Sequence, residues 1–113
     1  MNRLSVIAFA AALALPLTAQ AADKKIERLF GSKCGSCHGK DGKAQTEKGK
    51  KMQMRDLASA EFQKGTDEEF KKAILEGVKA EKGGVKQEMD GYKADLKPEE
   101  VDGLVAFIRT LKK

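Results

Sequence analysis

The chain has little with which to build an ordinary core. It contains no Trp and only 5% aromatics, while 35% of its 113 residues are charged and its mean hydropathy is −0.50. A composition this polar excludes a multi-span membrane protein. It has two Cys and one His. Structural zinc takes four Cys or His ligands, so this supply argues against a zinc site. After the N-terminus there is no run of alternating or continuous β-branched residues, and so no sign of a βαβ unit. Internal repeats are also absent.

The one long apolar stretch lies at the N-terminus. Met1-Asn2-Arg3 gives a short positive region, Leu4 to Leu17 is almost wholly apolar, and Ala19-Gln20-Ala21 has the A-x-A form of a cleavage site. This three-part layout predicts a secretory signal peptide over residues 1–21. The run is interrupted by Pro16 and is shorter than the roughly 20 apolar residues a spanning helix needs. No permanent membrane span is expected after cleavage, and the predicted location is periplasmic. Removing residues 1–21 leaves 92 residues and, with Arg3 gone, a formal charge of +4 rather than +5. A domain so small and so charged usually needs a staple: a disulfide, a metal or a large cofactor.

The two cysteines point to which staple. Cys34-Gly35-Ser36-Cys37-His38 is a C-x-x-C-H motif. A disulfide between Cys34 and Cys37 would close a tiny loop and constrain the unfolded chain very little. A dithiol oxidoreductase would place C-x-x-C beside a βαβ unit, and none is legible. Covalent haem attachment uses every residue of the motif. Two thiols form thioethers with the haem vinyl groups, and the adjoining His reaches the iron. An exported protein suits this chemistry. One haem c would also supply the apolar mass that the composition lacks.

Apolar spacing predicts an all-α domain over residues 22–113. Ile26, Leu29 and Phe30 share one face of a first helix from Asp23 to Lys33, after which Gly31 and the C-G-S-C segment turn the chain. Residues 39–56, rich in Gly and Lys, read as a loop, and residues 57–62 as a short helical turn. Thr66 and Glu69 form a capping box that opens a helix carrying Phe70, Ile74, Leu75 and Val78. Gly83-Gly84 marks a flexible stretch within a long loop from Lys79 to Leu96. Pro98 begins a last helix with Val101, Leu104, Val105, Ile108 and Leu111 along one side.

A haem iron bound by His38 has a second axial position. Met in that position gives an electron carrier of raised potential, whereas an open position admits small ligands. His38 is the only His, so a second imidazole is excluded. The candidates are Met52, Met54 and Met89. Met89 is favoured because it stands in a long loop far from His38, where a loop can carry a side chain to the opposite face; Met52 and Met54 stay open.

Several of these pieces, in this order, resemble a class I c-type cytochrome. Phe30 stands four residues before Cys34, and Cys34 to Gly39 reads C-G-S-C-H-G. Gly39-Lys40-Asp41-Gly42-Lys43 is similar to the opening of the family's next loop. Met89 precedes the aromatic Tyr92 by three, as in the family's M-P-x-aromatic motif, and Leu104 to Arg109 resembles its C-terminal helix. The resemblance implies three to four helices and long loops wrapped around one covalent haem. The first and last helices would pack through Phe30 and Phe107, with His38 and Met89 as axial ligands. Two places depart from the family pattern. Asp90 stands where Pro often follows the Met, and residues 39–56 lack the Pro whose carbonyl accepts the His ring N–H.

The function expected from this is one-electron transfer to and from redox proteins, with no bond-making catalysis. Between Lys33 and Arg55 there are seven positive and two negative residues, a local +5. This basic region suits an acidic docking surface on a partner. Nucleic acid is not an expected partner, and a monomer is expected. A haem protein with an open or weakly held sixth site is the alternative.

Overall fold

The structure is a computed structural model that describes residues 17–112, with side chains from residue 23 onward. Most of the predicted leader, residues 1–16, lies outside the described residues. The first helix, α1 (Leu17–Lys33), runs through the predicted cleavage site. Among the described residues, no helix is long and apolar enough to cross a membrane.

Three longer helices make the framework: α1, then α5 (Asp67–Glu76) and α6 (Pro98–Thr110). Three shorter ones lie between the first two: α2 (Gly35–His38), α3 (Glu47–Lys51) and α4 (Ala60–Gln63). α6 packs against both α1 and α5. It does so because Val101, Leu104, Val105 and Ile108 fall on one side and are all buried. Phe30 and Leu104 lie at the centre, each only 1% exposed. The Phe30 and Phe107 rings meet at 4.9 Å where α1 crosses α6, as the family resemblance implies. Truncating a ring buried like that of Phe30 costs about 3–5 kcal/mol.

The predicted capping box of α5 is present in both directions. Glu69 N–H donates to Thr66 Oγ1 at 3.1 Å, and Thr66 N–H donates to Glu69 Oε2 at 3.1 Å. α6 starts at Pro98, with Lys97 N–H donating to Glu100 Oε1 at 3.0 Å. Arg109, near the end of α6, fastens the α4–α5 junction. Its guanidinium donates to Gln63 O and Gly65 O, each at 2.6 Å, and to Asp67 Oδ1 at 2.9 Å. The same group lies 4.4 Å over the Phe70 ring, which stacks on Phe62 at 4.6 Å.

Four local expectations need correction. First, the chain does not simply turn at C-G-S-C. Cys34 N–H donates to Phe30 O at 2.8 Å and His38 N–H to Cys34 O at 2.9 Å, so the motif winds directly out of α1 as α2. Second, the stretch 39–56 contains α3. A helix of five residues, Glu-Lys-Gly-Lys-Lys, has no apolar stripe to reveal it; the Thr46 cap, accepting from Gly49 N–H at 2.9 Å, is its only local signal. Third, Val78 is not on α5. The helix stops at Gly77, and Val78 is exposed. Fourth, the predicted loop from Lys79 holds an antiparallel hairpin, β1 (Val78–Lys82) and β2 (Val85–Met89), paired Val78 to Met89 and Lys82 to Val85. Gly83 (φ +55°) and Gly84 (φ +82°) form its two-residue turn, for which two successive positive φ values are required.

Candidate functional site

Covalent continuity places the C-x-x-C-H motif. α1 leads into Cys34, and α2 carries Cys37 and His38; Cys34 and His38 line a cleft of 420 Å³. Its apolar lining comes from Phe30, Phe62, Phe70, Ile74, Leu104 and Ile108. A second hollow of 610 Å³ shares Cys34, His38, Met52, Met54 and Met89 with the first and adds Cys37 and Tyr92. The predicted residues Cys34, Cys37, His38 and Met89 are therefore gathered around one composite cleft. Met52 and Met54 border it too, so position alone does not separate the three thioethers.

The loop after the motif is tied to it through backbone oxygens. Thr46 Oγ1 donates to Cys37 O at 2.6 Å, and Ala44 N–H donates to His38 O at 2.7 Å. Gly49 sits in the angle between them; a Cβ there would lie 2.5 Å from Ala44 O and 2.7 Å from Cys37 O. The Met89 segment is pressed against the end of α5. A Cβ on Gly77 would collide with Met89 O, and one on Gly91 would lie 2.5 Å from Leu75 O. Tyr92 N–H donates to Ile74 O at 2.8 Å and Lys93 N–H to Leu75 O at 3.2 Å. The Tyr92 hydroxyl crosses to α1 and donates to Lys33 O at 2.9 Å.

Burial shifts the titration of His38 and Cys34. It lowers the His38 pKa, favouring the neutral imidazole, which is the form that binds a metal. Nδ1 of His38 is buried without a hydrogen-bond partner among the described residues, and the missing acceptor matches the absence of Pro from residues 39–56. Burial also pushes the Cys34 thiol up to about 11; Lys33 opposes the shift and Cys37 adds to it. A thiol so firmly protonated is a poor nucleophile for disulfide exchange. Both cysteines are free. Among the described residues, no group of three His, Cys, Asp or Glu is arranged to hold a bare metal ion. A lone neutral imidazole, two unbonded thiols and three thioethers around an apolar cleft fit a metal already held in an apolar macrocycle.

The cytochrome c family model matches residues 24–112. The chain belongs to the cytochrome c family. Its likeness to solved structures agrees. The structure named KustC0563 c-type cytochrome is 36% identical, with a TM-score of 0.64, and the match covers 77% of this chain and 96% of that one. A structure named as a tyrosine-to-phenylalanine mutant of Kustc0563 is also 36% identical, with a TM-score of 0.62 over 77% of this chain and 98% of that one. No curated protein matches. The fold is that of a class I c-type cytochrome with a small hairpin sheet. Family membership makes the chain a haem-binding electron carrier whose partners are redox proteins.

Three cleft residues carry no sequence signal that marks them as parts of the site. Phe62 and Phe70 form wall, although periodicity marks only Phe70, and only as core. Gln87 borders the cleft from β2; its signal is the alternation Val85, Gln87, Met89 after a Gly-Gly turn, a hairpin pattern.

Proposed function

We propose that this cytochrome is an exported one-electron carrier that holds one haem c through thioethers to Cys34 and Cys37, with His38 and Met89 as axial ligands. The observation that carries the reading is the common cleft: Cys34, Cys37, His38 and Met89 border it, together with Phe and aliphatic side chains. The haem supplies the ferric–ferrous couple. The chain's own residues bind it, exclude water from it and tune its potential. Phe30, Phe62, Phe70 and Leu104 keep its surroundings apolar. The tie from Thr46 to Cys37 O and that from Ala44 to His38 O fix the motif's backbone, so His38 needs little rearrangement between oxidation states. Met89 is preferred to Met52 and Met54 on the family's spacing to the following aromatic, Tyr92, and on the backbone contacts that pin its segment to α5.

Export rests on the leader pattern of residues 1–21, and the periplasm is the compartment proposed. Lys33, Lys48, Lys51 and Lys86 border the second hollow, with Glu88 and Asp90 among them. This mainly basic rim favours an acidic partner surface, with the protein itself acting as a monomer.

Visible spectra of the purified holoprotein test the reading. Wild type is expected to show low-spin haem and a weak ferric iron–sulphur charge-transfer band, and Met89→Ala to lose that band. A high-spin wild type, or a Met89→Ala protein with the band intact, would overturn His/Met ligation through Met89.

A further inference from the structure

We infer that Gln87 is a positioning residue for the sixth ligand: its side-chain amide clasps the strand leading into Met89 to the loop that carries Met52 and Met54. The inference rests on the proposed role of Met89.

Val85, Gln87 and Met89 are the half-buried residues of β2, whereas Lys86 and Glu88 between them are exposed. Strand periodicity therefore puts Gln87 and Met89 on the same, inward face. Gln87 Nε2 donates to Met52 O at 2.9 Å and to Gln53 O at 2.8 Å. Both protons of one amide are thus used on two successive carbonyls. Gln53 has φ +50°, a left-handed conformation uncommon for a residue with a side chain, and both carbonyls nevertheless reach the same donor. A flipped amide would aim its oxygen at two carbonyl oxygens, so the network fixes the orientation.

The hairpin needs a tie of this kind. Every residue of β1 is exposed, and no fully buried core residue comes from either strand. Backbone contacts at Gly77 and Gly91 hold the base of the hairpin, but they do not hold β2 against the 52–54 loop. Gln87 does, and it spans 34 to 35 residues of sequence to do so. With Met89 as the sixth ligand, an external ligand would bind the iron by displacing it. Parting of β2 from the loop would ease that displacement, and the amide opposes the parting.

The test is a titration of ferric holoprotein with imidazole, followed in the visible spectrum. Gln87→Leu keeps the bulk of the side chain and removes both donors. Two neutral hydrogen bonds of ordinary strength correspond to roughly tenfold or more in such an opening equilibrium, so Gln87→Leu is expected to bind imidazole about tenfold more tightly than wild type. Gln87→Glu, with a carboxylate facing the two carbonyls, should exceed it, and Glu81→Gln on exposed β1 should match wild type. In a Met89→Ala background nothing remains to be displaced, and Gln87→Leu should no longer alter the affinity. Helical circular dichroism and the mass of one haem establish that each variant is folded and loaded.

Unchanged imidazole affinity in Gln87→Leu overturns the clasp. So does an equal tightening in the Met89→Ala background, which would indicate general loosening. If Met89→Ala loses the sulphur band while Gln87→Leu is silent, the clasp fails and Met89 ligation stands. If Met89→Ala keeps the band, Met89 ligation fails and the clasp falls with it.

Discussion

Tyr92→Phe removes one hydroxyl from a junction between two parts of the site. Tyr92 lies three residues after Met89, and its hydroxyl donates to Lys33 O at 2.9 Å. Lys33 is the last residue of α1, so its carbonyl has no donor within the helix. The next residue is Cys34. The bond therefore links the Met89 segment to the helix end from which the haem motif emerges. A neutral hydrogen bond of this kind is worth about 1 kcal/mol net, and water can reach part of the vacated site, so the full penalty for an orphaned carbonyl does not apply. For a domain of this size, about 1 kcal/mol corresponds to a fall of roughly 4–8 °C in Tm.

The pH dependence gives this prediction a second handle. Burial raises the Tyr92 pKa above that of a free phenol. The folded state therefore holds this proton more tightly than the unfolded state does. The hydroxyl's contribution is complete below the unfolded value of about 10 and is lost as pH rises beyond it towards the folded pKa. Thermal unfolding of oxidised and reduced holoprotein, wild type against Tyr92→Phe, should show the Tm gap at neutral pH and its narrowing above about pH 10. A Tm unchanged at neutral pH refutes the bond's contribution. A gap that stays constant through the alkaline range refutes its assignment to the hydroxyl.

Gly49→Ala puts a methyl group against the carbonyls of Ala44 and Cys37, neither of which is the movable end of a side chain. It is expected to cost about 2 kcal/mol in denaturant unfolding, and an unchanged midpoint would show that the loop yields. Neutralising Lys48, Lys51 and Lys86 together, each to Gln, is expected to slow reduction by an acidic redox protein about tenfold at low salt and to flatten the dependence on ionic strength. Stopped-flow rates that keep the wild-type salt dependence would remove the basic rim from docking.

Much of this is legible in the sequence wherever one residue type has one job. The C-x-x-C-H motif needs no structure to be noticed, because two thiols and the chain's only imidazole fall within five positions. The apolar stripes of α5 and α6 and the Thr66 capping box likewise have fixed spacing. The hairpin is hidden because the Gly83-Gly84 pair reads as flexibility, although two glycines between alternating segments form a tight turn. α3 leaves almost no trace because the residue it turns inward is Gly49. Gln87 is invisible for a different reason: its partners are the backbone oxygens of Met52 and Gln53, and a carbonyl has the same signature at every residue.

The same reasoning explains why a glycine-rich sequence yields a rigid site. Gly49 lies against Cys37 O beneath the haem motif, and Gly77 and Gly91 lie against the backbone beside Met89. Each marks a place where two main-chain segments approach too closely for a Cβ. Their short loops are fixed by contact with carbonyl groups, without burial of large side chains. In a chain with few aromatics, this positions the two expected axial ligands while leaving the scarce apolar bulk for the cleft walls. The hairpin, anchored at its base by Gly77 against Met89 O, contributes no fully buried core residue, and Gln87 restrains its second strand. A carrier assembled this way should lose its sulphur ligand before its helices unfold. Circular dichroism and the ferric sulphur band, followed together through a denaturant titration, would separate the two events. Coincident loss of both signals would mean that the Met89 segment and the helical framework are a single cooperative unit.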